Sequence, residues 1–174
     1  ERAELVGWLF AKGFTADQIR NSWAPMVLAS RRLIGDDGVY VSTRDIGAKF
    51  GLDLDMVQRV QRAIGLSTVD DPDEAVYLRA DGDAIAHTAK FLALGFDPEQ
   101  LLQVTRTLAE GLSHAAETMR YSALATVIRP GATELDAAKG SELVVAAAAP
   151  LLGPMVEDML LVQLRHAMDT EAVS

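Results

Sequence analysis

The chain has 174 residues, 49% of them hydrophobic but only 6% aromatic, with no cysteine and a formal net charge of -9. That length supports one domain with a real core. The lack of cysteine excludes disulfides and thiolate metal sites, and the negative charge disfavours a polyanion as partner. Plentiful Ala and Leu beside few aromatics favour helices over a sandwich or barrel.

In chain order, residues 2–12 read as a helix with Leu5, Trp8 and Leu9 on one face, and Gly13 suits its C′ position. Thr15 caps the next helix, Gln18 completes a capping box, and this helix is expected to end near Trp23. Pro25 opens a helix over residues 26–34, with Arg31 and Arg32 where cations complement the helix dipole. Gly35-Asp36-Asp37-Gly38 is a turn, and Val39-Tyr40-Val41 a short β-like entry.

Ser42 or Thr43 caps a helix through Phe50, Gly51 turns the chain, and a second helix covers residues 53–64 before Gly65. This is helix-turn-helix spacing over residues 43–65. Tyr77-Leu78-Arg79 follows, then a helix capped by Asp81 and running to Leu94, and another from Pro98. The layout resembles MerR-type DNA-binding domains. Charge opposes that reading: Asp53 and Asp55 stand at the helix end meant to approach phosphate, with only Arg59 and Arg62 to compensate. A packing module without nucleic acid is therefore expected. Asp70-Asp71-Pro72-Asp73-Glu74 lacks the alternating ligands and glycine of a calcium loop and reads as a solvated acidic loop.

Residues 98–128 can form one long helix, with Leu101, Leu102, Leu108, Leu112, Met119 and Leu124 as apolar positions and Arg129-Pro130-Gly131 as its stop. Residues 8–19 and 91–101 echo each other: helix, Gly, Phe, cap, Gln, aliphatic. The expected content is one packing joint used twice, with Phe plugging each corner.

The run 133–172 is the longest helix-compatible and most apolar stretch. Pro150 and Pro154 bracket Leu151-Leu152-Gly153, which predicts two helices at a hinge or one helix with a marked kink. Beyond them Met155, Met159, Val162 and His166 fall on one row, and Val156, Leu160, Leu164 and Ala167 on a second. Asp158, Arg165 and Asp169 gather on another side. So wide an apolar arc belongs to a core helix or an oligomer seam. The alanine block, ended by proline, is shorter than the ~18–20 residues that span a bilayer, so no membrane span is expected, and no signal peptide is legible. His87, His114 and His166 are isolated and form no metal cluster. No nucleophile–base pair or phosphate loop stands out. From the residues alone, this is an all-helical regulatory or dimerisation module.

Glu4-Leu5-Val6-Gly7-Trp8-Leu9, Tyr40-Val41-Ser42-Thr43-Arg44-Asp45-Ile46, Gly95-Phe96, Met155-Val156-Glu157-Asp158-Met159-Leu160 and Arg165-His166-Ala167-Met168 together resemble the N-terminal regulatory domain of the pH-sensing mycobacterial class III adenylyl cyclases. The likeness covers essentially the whole chain. It implies an all-α, multi-helix bundle of about 8–10 helices in a tight homodimer, followed by a C-terminal cyclase domain of the same chain. It also implies inhibition near neutral pH, activation in acid, a cytoplasmic location and, in some members, an embedded fatty acid. The parent enzyme would make cyclic AMP from ATP with Mg or Mn. Its catalytic residues would lie beyond Ser174, so this fragment itself would have no activity.

On that basis residues 1–132 are expected to form the helical domain, and 133–174 the dimerisation and linker helices. Histidine changes charge near pH 6.5, in the window such a switch needs. His166, with Asp169 and Arg165 beside it, is the candidate pH switch. Leu143, Val144, Leu151, Leu152, Met155 and Met159 are candidates for a fatty-acid tunnel between helices, with Tyr121 or Arg129 at the carboxylate. The alternatives are a MerR-like DNA-binding regulator and a stand-alone lipid-binding helical protein.

Overall fold

The computed structural model describes residues 1–173, so Ser174 lies outside it. The described residues are predominantly helical and form two units, residues 1–34 with 123 onward, and residues 35–122. Helix α1 (Arg2–Ala11) buries Leu5 and Leu9, four residues apart on one face. They meet Phe14, Ala29 and Ala138 in the core of the first unit. The Thr15–Gln18 capping box forms as expected and opens α2 (Ala16–Arg20), which stops short of the predicted Trp23. The predicted helix over 26–34 is instead a 3-10 turn (Pro25–Val27) followed by α3 (Leu28–Arg32). Proline at the first position sets φ without supplying a donor, and a tight turn is the short form such a start takes.

In the second unit, β1 (Tyr40–Val41) and β2 (Tyr77–Leu78) pair antiparallel, Tyr40 opposite Leu78 and Val41 opposite Tyr77. Ser42, rather than Thr43, caps α4 (Thr43–Phe50), in a capping box with Asp45. Asp53 caps α5 (Leu54–Ile64) through the Met56 amide at 2.8 Å. The two helices pack at Gly47, where an added Cβ would lie 2.7 Å from the Leu52 carbonyl oxygen, so only glycine fits that approach. Ile46, Val57, Val60, Ala63, Tyr77, Ile85 and Leu102 form this unit's core.

The sequence predicted one helix capped by Asp81 and reaching Leu94. The structure has α6 (Arg79–Asp83), with Asp81 inside its first turn, and a separate α7 (Ala86–Ala93). At the break the Ile85 amide bonds the Gly82 carbonyl at 3.0 Å, a three-residue step that turns Ile85 fully into the core. Burial of one isoleucine outweighs helical continuity here, which the local pattern does not encode.

Helix α8 (Pro98–Val127) is single and long, as expected, with Asp97 accepting from the Gln100 amide. The echoed joints share Gly13 at φ +94° and Gly95 at φ +92°, each followed by a capped helix. They differ at phenylalanine: Phe14 is buried under Arg32, whereas Phe96 is half exposed and stacks edge-on against Phe91. The second corner is therefore not plugged as the first is.

Helix α9 (Glu134–Val173) runs unbroken through Pro150 and Pro154. A hinge between two helices is thus replaced by one continuous helix. Proline's fixed φ is helical, so each ring removes one hydrogen bond without having to end the helix. Continuity also overturns the reason for expecting no membrane span. The helix contains an 18-residue window of mean hydropathy 1.6 and, by length and composition, is long enough to cross a bilayer.

Candidate functional site

Helix α9 is anchored at its start. Thr133 and Asp136 cap it reciprocally, Arg2 pairs with Glu134 at 2.9 Å and Lys12 with Glu142 at 2.7 Å. Lys12 also lies over the Trp8 ring at 4.8 Å, and Ala138 is fully buried. Gly140 lets the last turn of α8 approach, since a Cβ there would meet Val127 Cγ1 at 2.9 Å. These contacts hold the start of α9 against α1 and α3, and half-buried positions continue along it to Val156.

Its far end is different. Every residue from Glu157 to Ala172 is exposed in the single chain. Met159 is 61% exposed and Met168 68%. The methionine row and the Leu160–Leu164 row are therefore neither core nor covered by this chain.

The candidate pH-switch residues Arg165, His166 and Asp169 all lie on this exposed end, where the His166 carbonyl accepts from the Thr170 hydroxyl at 2.9 Å. The fatty-acid candidates are spread along α9. Val144 and Leu152 are half-buried, while Leu143 (72%), Leu151 (68%), Met155 and Met159 are exposed. Tyr121 and Arg129 are exposed too. Six of these eight side chains are therefore exposed in the single chain.

In the second unit, four cations around α4 and α5 are engaged. Arg44 pairs with Asp73 at 2.6 Å, Lys49 with Asp83 at 2.8 Å, Arg59 with Glu99 and Arg79 with Asp37. The acidic loop is thereby held, with the Arg44 amide also bonding the Pro72 carbonyl, rather than simply solvated. Among the described residues no cluster of three or more metal-ligating side chains occurs.

The unit also contains an open cleft of about 570 Å³ that sequence reasoning missed. Arg62, Ala63, Ile64 and Gly65 form one wall, and Arg106, Ala109, Glu110, Ser113, His114 and Glu117 of α8 the other. The i, i+4, i+7, i+11 run of Arg106, Glu110, Ser113 and Glu117 was legible as a polar face. Its position against the end of α5 was not.

Two carboxyls in this unit are held below the ordinary carboxylate range. Asp45 accepts from the Ser42 amide, with the Ser42 hydroxyl adding to the effect. Asp37 accepts from the Val39 amide, opposed by desolvation and reinforced by Arg79. A depressed carboxyl stabilises the fold above its unfolded pKa of about 4, and that contribution is lost as pH falls through the lower folded value. Stability owed to these groups should therefore hold from neutral to mildly acidic pH and drop only below about pH 4. Urea midpoints measured across that range by circular dichroism would check this. An early drop would assign acid sensitivity to other groups.

The family model described as adenylate cyclase regulatory domain matches residues 1–168. The chain is 59% identical, over its full length, to a pH-sensitive adenylate cyclase of Mycobacterium tuberculosis. It spans 44% of the length of that relative. With the matched family model covering nearly all of the helices described above, the chain belongs to the adenylate cyclase regulatory domain family.

Proposed function

We propose that this chain is the pH-responsive, autoinhibitory dimerisation domain of an adenylyl cyclase that makes cyclic AMP from ATP. The observation that carries the reading is the exposed end of α9. Two apolar rows run along a helix whose residues from Glu157 to Ala172 are all exposed. An exposed apolar face of this length implies a covering partner, and a second copy of the same helix supplies a matching surface by two-fold symmetry. Glu157 and Asp158 within the same helix favour a protein seam over hydrocarbon, where carboxylates are costly.

The relative is a pH-sensitive cyclase, and this chain corresponds to less than half of it. A domain that pairs through α9 would set the spacing of whatever follows α9, which is how a helical dimer can restrain a two-chain active site. Protons would act by favouring one of two arrangements of the pair. The half-buried and exposed apolar residues Leu143, Val144, Leu151, Leu152, Met155 and Met159 would enclose a fatty acid once a second chain covers them.

Sedimentation equilibrium of this chain at about pH 5.5 and about pH 8 tests the assembly. We expect a dimer at both. A monomer at both values would overturn the dimerisation reading. The full-length enzyme, assayed with and without residues 1–174, tests control: deletion should raise activity near neutral pH and flatten the pH profile. A profile unchanged by the deletion would overturn the regulatory reading. Mass spectrometry of the denatured dimer should release a fatty acid, and its absence would remove the lipid from the proposal.

A further inference from the structure

We propose that α8 pairs antiparallel with α8 of a second copy of this chain, along the row Val104, Leu108, Leu112, Ala115 and Met119. The inference extends the dimerisation reading above to a second surface, carried by different residues. Leu101 and Leu102 are buried and tie the first turns of α8 into its own unit. Beyond them the apolar side chains are uncovered: Val104 is 54% exposed, Leu108 41%, Leu112 46% and Met119 37%. They recur at steps of three and four, so they form one row along the helix.

An ordinary surface helix turns its apolar face inward and its charges outward. Here the arrangement is reversed. Arg106, Glu110 and Glu117 are the charged residues between Val104 and Met119, and they fall on the side opposite the row. They line the cleft against the end of α5. The charged face is thus turned toward the unit's own α5, and the apolar face away from it. Beside the row stand only threonine, alanine and glycine. An uncovered apolar strip with no charge near it has the composition of a protein contact.

The row also says which protein. Its midpoint falls between Gly111 and Leu112, and two-fold pairing about that point is self-complementary. Val104 meets Met119 of the partner subunit, Leu108 meets Ala115 of the partner subunit, and Leu112 meets Gly111 of the partner subunit. A large side chain faces a smaller one at the last two of these pairs, which is how facing layers interdigitate. Gly111 fits the same picture. Glycine weakens a helix interior relative to alanine, yet a Cβ at Gly111 would meet nothing within 4 Å in this chain. The close approach that would require glycine comes from a second helix.

The chain has no cysteine, so single introduced thiols report the register. With a short bis-maleimide, Leu112→Cys should cross-link to itself. Val104→Cys should not, since antiparallel pairing separates the two copies of that position by about 22 Å. Val104→Cys mixed with Met119→Cys should link. Gly111→Leu should weaken association about tenfold by overfilling the seam, with helix content by circular dichroism unchanged because leucine favours a helix. Val104→Cys linking to itself overturns the antiparallel register. A wild-type dimer whose Leu112→Cys variant does not link, or a Gly111→Leu protein that associates like the wild type, overturns the α8 seam and leaves the α9 pairing standing. A wild-type chain that sediments as a monomer overturns both.

Discussion

Leu9→Ala is expected to cost about 3 kcal/mol and to lower the melting temperature by roughly 6–12 °C. Leu9 is fully buried, and the core it joins is small: Leu5, Phe14, Ala29 and Ala138, with Trp8, Ile19, Met26, Leu28 and Leu135 around it. Two of its members, Phe14 and Leu5, come from the same short stretch, and Ala138 is what α9 contributes. Removing three heavy atoms beside an alanine leaves a cavity that the alanine cannot fill. Hydrogen exchange should then show lost protection in α1, α3 and the first turns of α9. Amides of α4 and α5, which rest on a separate core, should keep theirs. Uniform loss across both units would show a single cooperative fold instead. Under the proposed function, the same change in the full-length enzyme should raise activity near neutral pH, because the start of α9 loses its packing.

Met159→Glu should leave the monomer's fold intact and break its pairing. Met159 is largely exposed in the single chain, so a carboxylate there costs the folded monomer little. In a two-fold seam it would put two like charges into an apolar strip, a penalty of about 3 kcal/mol or more, roughly a hundredfold in the dimer dissociation constant. Arg165→Gln, on the charged side of the same helix, serves as control and should leave association unchanged. Equilibrium sedimentation of both variants decides it. A Met159→Glu protein that dimerises like the wild type would place the seam elsewhere, with the apolar face of α8 at Val104, Leu108, Leu112 and Met119 next in line, since those side chains are also substantially exposed.

What the residue pattern settled were features decided within one helical turn. Thr15, Ser42 and Asp97 each cap the helix that follows, because a side-chain oxygen two or three residues before an amide needs no distant partner. Glycine after a helix marked its end at Gly13, Gly51, Gly65 and Gly95 for the same local reason. The all-helical class and the exceptional length of the last stretch were likewise present in composition and periodicity.

Tertiary structure alone decided what depends on neighbours far along the chain. Burial of Ile85 split one predicted helix into α6 and α7. The passage of α9 through two prolines made one helix where two at a hinge were the other possibility, because a missing donor weakens a helix without dictating that it stop. The pairing of the first 34 residues with the start of α9, and the placing of the end of α5 and the polar face of α8 on one cleft, join positions that no local periodicity relates. Sequence shows which faces are apolar or charged, and only packing shows which of them this chain covers for itself and which it leaves for a partner.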